Sequence, residues 1–152
     1  MDPVDDPSGS TEIDPRLIGT WDSGMDRYII TATAVSYEMD GYGDMNWTGT
    51  IRWVSNFTDD AGVIIVQYQT GKEPTYYDYH GEMNVIPLNG RIFQGIYYDD
   101  IKPFISTAIS HAIDLATYAP AEKTTLGAAK AAFTMGNKGD YIGFQPIYPY
   151  KP

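Results

Sequence analysis

Two histidines, twenty acidic side chains and no cysteine bound the chemistry open to this chain of 152 residues. His80 falls in a polar stretch bounded by glycine, and His111 falls in an apolar alternating run. Neither has a second His or a Cys at ligand spacing, so the three or four N and S donors of a zinc site are not available. His111 reads better as a core or wall histidine. Serine chemistry fares no better, because the chain has no G-x-S-x-G and nothing pairs a serine with a base. The acidic pairs Asp59 with Asp60 and Asp99 with Asp100, together with Asp40 and Asp44, raise two further options. Carboxylates about 5 to 9 Å apart can cleave a glycoside, and clustered oxygens can hold calcium. Each pair lies at a turn, however, where Asp bonds its own backbone, and DGYGDMN lacks the spacing of an EF-hand loop. The sequence points away from an enzyme and gives no catalytic residue, metal site or cofactor.

The aromatic content carries more. Thirteen tyrosines, with Trp21, Trp47 and Trp53, supply apolar bodies with one polar handle each, which suit the wall of a ligand cavity. The same residues are ordinary strand formers and can equally fill a small barrel and decorate its rim. If a cavity is present, Tyr28, Trp53, Tyr97, Ile109 and His111 are the candidate ligand-binding residues, with Tyr37 and Tyr68 next. A slip of one residue in strand register exchanges every inward choice for an outward one. The TYYDY cluster at 75–79 offers an exposed patch for sugar or protein, or a loop folded over the barrel mouth. The triplets beginning at Asn46 and Asn56 match glycosylation acceptors, a short pattern that arises by chance.

Strands must position these groups. Residues 48–68, TGTIRWVSNFTDDAGVIIVQY, read as two long strands and one tight turn. Ile51, Trp53, Ser55 and Phe57 alternate with Arg52, Val54 and Asn56, and residues 63–68 are nearly all β-branched or aromatic, as in a strand covered on both faces. Residues 26–37, DRYIITATAVSY, read as one strand with Tyr28, Ile30, Ala32 and Ala34 on one face. Two short strands follow around 75–79 and 82–86. A clearer one occupies 91–99, where Gly95 marks a bend or bulge. FISTAISHAID alternates again, with Ser106, Ala108, Ser110 and Ala112 leaving space on one side. TLGAAKAAFTM at 125–135 is the convincing helix, capped by Thr124 or Thr125 and carrying Leu126, Ala129 and Phe133 as its apolar stripe. DYIGFQPIY supplies a final strand. The sum is all-β: eight or nine antiparallel strands with one short C-terminal helix before the last. Such a meander pairs into a sandwich or closes on itself as an up-and-down barrel.

A formal charge of −10 opposes a phosphate backbone and an anionic membrane surface, which disfavours nucleic acid as a partner. No run approaches the roughly 20 apolar residues of a membrane span. Residues 1–16 are acidic and rich in Pro, Ser and Asp, and read as a disordered leader or tether ahead of a single domain over 17–152.

Gly19, Thr20 and Trp21 match the G-x-W at the first strand of lipocalins. In order, LIGTW, DRYIITATAVSY, VSNFTDDAGVIIVQY, GIYYDDI and a short helix leading into GDYIGF resemble the lipocalin-like (calycin) domains of bacterial envelope lipoproteins, over residues 17–148. The basic residue that many lipocalins stack on this tryptophan has no clear equivalent, only Lys138 and Lys151 lying near the last strand. The resemblance implies an antiparallel β-barrel at the cell envelope, held by a lipid anchor upstream of Met1, that binds a small apolar or amphipathic molecule. A filled barrel acting as a structural or adhesive surface domain, with a protein or glycan held by its loops, is the alternative.

Overall fold

The computed structural model of the chain describes residues 9–24, 26–39, 46–56, 61–68, 75–77, 83–85, 92–99, 107–112, 121–141 and 146–150. These are mostly antiparallel β, with strands β1 (Gly9–Ser10), β2 (Gly19–Asp22), β3 (Asp26–Ile30), β4 (Ala34–Met39), β5 (Trp47–Asn56), β6 (Gly62–Tyr68), β7 (Thr75–Tyr77), β8 (Met83–Val85), β9 (Phe93–Asp99), β10 (Thr107–His111) and β11 (Pro146–Tyr150), and one helix, α1 (Leu126–Ala132). Six of them, in the order β2-β3-β4-β5-β6-β9, make a curled half-barrel. Backbone pairings of β10 and β11 run on from β9 to β2, where Pro149 lies opposite Trp21. The eight or nine strands expected in one barrel are therefore a six-stranded half-barrel with two more attached by backbone pairing. The short strands at 75–77 and 83–85 leave it to form a separate two-stranded sheet.

The central hairpin holds, with one change that matters for the site. Pairing between β5 and β6 runs from Gly49 opposite Tyr68 to Ile51 opposite Val66, then skips to Trp53 opposite Ile65. Arg52 is the extra residue of a β-bulge, and it shifts the phase of the alternation. Ile51 and Val54 thereby face the inner core, whereas Trp53 packs in the outer layer. The strand expected over 26–37 is also two strands. Thr31, Ala32 and Thr33 form its turn, in which Thr31 N–H donates to the Ala34 carbonyl at 2.9 Å and the Thr31 hydroxyl accepts from Ala34 N–H at 3.0 Å. Threonine hydroxyls close such turns as well as they fill strands, so strand propensity hid the reversal. Tyr28 and Tyr37 end up opposite each other across the hairpin, as do Ile30 and Val35.

Gly95 is neither a bend nor a bulge, since the β6 and β9 registers run through it unbroken. A Cβ there would come within 2.5 Å of the Phe133 ring, so the missing side chain is what lets the end of the helix lie against β9. The helix is shorter than 125–135 and starts as expected at Thr125, whose hydroxyl accepts from Ala128 N–H at 3.0 Å. Asn137 closes the other end, its amide donating to the Ala132 carbonyl at 3.1 Å. Ala129 and Phe133 are buried against Val63, Ile65, Phe93 and Tyr97 on the outer face of the sheet.

Part of the leader belongs to the fold, which corrects its boundary at 16. Ser10 pairs with Val54, Ile13 and Leu17 join the inner core, and a single 3-10 turn over Pro15–Leu17 is capped by Asp14. Ile13, packed in the same core as Leu17, outweighs the polar composition around it. Residues 1–8 lie outside the described residues, as do the acidic turns at 40–44 and 59–60 and Asp100.

Candidate functional site

Period-2 alternation on β3, β4, β5, β6 and β9 sends one set of side chains to the concave face. Four aromatic rings there form a row across neighbouring strands. Tyr28 lies 5.2 Å from Tyr37 between ring centres, Tyr37 stacks on Trp47 at 6.0 Å, and Trp47 meets Tyr68 at 5.4 Å. All four are buried. These spacings fall in the range that aromatic pairs favour.

Two rings of the row carry carboxylate partners. The Tyr37 hydroxyl donates to Asp26 at 2.9 Å, and the Tyr68 hydroxyl donates to Glu122 at 3.2 Å. Glu122 reaches this position because residues 121–123 run beside β9, with Lys123 N–H donating to the Phe93 carbonyl at 2.9 Å and Phe93 N–H returning the bond at 3.0 Å. Gln94 is fully buried on β9, on the same face as Ile96 and Tyr98. Its Oε1 accepts from Gly95 N–H at 2.8 Å. Burial pushes the Tyr68 hydroxyl well above the ordinary tyrosine range, the Glu122 carboxyl adds to the rise, and the Gln94 amide opposes it. Burial raises Tyr37 likewise, with Tyr28 and Asp26 adding to it. These hydroxyls are fixed hydrogen-bond donors at neutral pH, not nucleophiles or bases.

The structure divides the residues singled out in the sequence. Tyr28 and Ile109 belong to the inner core, as do Tyr37 and Tyr68. Trp53 and Tyr97 do not, which corrects their expected inward placement. Trp53 was turned outward by the bulge at Arg52, and the Lys130 ammonium sits 3.6 Å from its ring centre. Tyr97 alternates with inner Ile96 and Tyr98, and its hydroxyl donates to the Thr134 carbonyl at 3.0 Å under the helix end. The backbone of His111 pairs with Ile96, and its side chain lies outside the described residues, as do those of Tyr76 and Tyr77. Lys138 pairs with Asp99 at 2.8 Å, and the Trp21 indole donates to the Leu17 carbonyl at 2.7 Å.

Three members of the site escaped the sequence reading. Trp47 was counted only among the tryptophans. Gln94 had a visible signal, a lone amide within the apolar strand RIFQGIYYD. Glu122 had none, since APAEKTT looks like any polar connection. Among the described residues no three His, Asp or Glu side chains gather as metal ligands, and no helix is long and apolar enough to cross a membrane. Comparison with known protein families, curated proteins and solved structures finds no match for this chain.

Proposed function

We propose that this chain is a non-enzymatic binding module: a lipocalin-like barrel, closed by β10 and β11, that takes a small apolar or amphipathic molecule against its inner face. The observation that carries this is the row Tyr28, Tyr37, Trp47 and Tyr68 running into buried Gln94 and Glu122. Ligand sites in proteins are mostly apolar and aromatic, with few convergent polar groups that fix orientation. Barrels of about eight strands have interiors that hold side chains or one small ligand. Placement at the cell envelope through a lipid anchor rests on the family resemblance of the five sequence segments.

Native mass spectrometry of protein purified from its own organism tests the role. A retained small molecule, lost when Trp47 is replaced by Ala, is the expected result. Protein that carries no added mass and takes up no amphiphile in titration would contradict it.

A further inference from the structure

Gln94 is the most informative polar group in the interior. It has no exposed surface, its Oε1 is occupied by Gly95 N–H, and its Nε2 lies near the Tyr68 hydroxyl without meeting it or any other acceptor in hydrogen-bond geometry. Buried amide donors are nearly always satisfied, so a donor held in this state marks a place where another molecule can supply the acceptor. The donor shares its surroundings with the Tyr68 hydroxyl, on which both Gln94 and Glu122 act, and Tyr68 is the last ring of the aromatic row. Beside a carboxyl group, a second carboxyl is disfavoured because like charges share a site poorly. A hydroxyl is not, since it accepts from Gln94 Nε2 through its oxygen and has a proton left to donate towards an oxygen of Tyr68 or Glu122.

We propose that Gln94, with Tyr68 and Glu122 beside it, is the head-group end of the ligand site and selects a neutral hydroxyl-bearing amphiphile over a carboxylate of equal chain length. This rests on the binding role proposed above. The apolar tail lies along the row of aromatic rings.

The test is calorimetric titration of the full chain with 1-decanol and with decanoate at a pH of about 8, where the acid is ionised. The expected result is that decanol binds at least about tenfold more tightly, a preference of about 1.4 kcal/mol. Gln94→Met, which keeps the bulk and removes the donor, lowers decanol affinity about fivefold and leaves decanoate unchanged. Glu122→Gln raises decanoate affinity about tenfold and narrows the preference. Should Gln94→Met melt below the titration temperature, Glu122→Gln decides alone. Equal affinity of the unaltered chain for the two probes overturns the selection and leaves the binding role standing. Binding of neither probe overturns both.

Discussion

Gly95 and Phe133 show how far a single residue governs this architecture. The Phe133 ring occupies the volume of the missing Cβ, 2.5 Å from where it would stand, so Gly95→Ala must push the ring or the strand aside. Overpacking of this kind costs about 1–3 kcal/mol, read as a lower urea midpoint, and the loss shrinks when Phe133→Ala is added because the two sites share one volume. Tyr68→Phe is the corresponding test inside the site. It removes the donor to buried Glu122 and lowers stability by about 1–3 kcal/mol, and in a double-mutant cycle with Glu122→Gln the two losses are not additive. At this scale the sequence was readable in part. Aromatic residues near the site were found, but the side that Trp53 and Tyr97 take was not, because both faces of FQGIYYD are apolar and one bulged arginine reverses β5. Glu122 was invisible, since nothing local distinguishes a buried carboxylate from a solvated one.

Among the elements, the helix and the N-terminal turn make opposite cases. Seven residues are too few for a helix to persist alone, so α1 depends on its cap and on packing against β6 and β9. Thr125→Ala is expected to cost about 1 kcal/mol, measured by chemical denaturation. The cap, the alanine density and the stripe were legible because helix signals are local. The segment 9–16 has the composition of a tether, which averages over Ile13, yet Ile13 packs in the inner core together with the fully buried Leu17. Ile13→Ala should therefore cost about 2–5 kcal/mol, whereas a tether would lose nothing. The hairpin of β3 and β4 was missed for another reason: threonine serves both strand and turn, and only the pairing partner distinguishes them.

Over the whole molecule, the buried tyrosines set an alkaline limit. Tyr98 is pushed up to about 12, chiefly by burial, and Tyr37, Tyr68 and Tyr97 are raised above their ordinary value by the same cause. A phenol whose folded pKa exceeds its unfolded one contributes stability that is complete below a pH of about 10 and is lost as the pH climbs through the folded values. Denaturant midpoints should hold steady from neutral pH to about 10 and fall steeply beyond it, with most tyrosinate absorbance appearing only as the protein unfolds. The antiparallel pairing of β5 with β6 was anticipated from element order, because hairpin-linked strands fall beside each other. What order alone could not give was the content of the interior.

That interior is best probed by an amide-resolved magnetic resonance titration of the isotope-labelled chain with 1-decanol. Shift changes are expected to concentrate at Tyr28, Tyr37, Trp47, Tyr68 and Gln94, with Trp53, Tyr97 and Phe133 in the outer layer unmoved. Changes confined to that outer layer, or none at saturating alcohol, would contradict it.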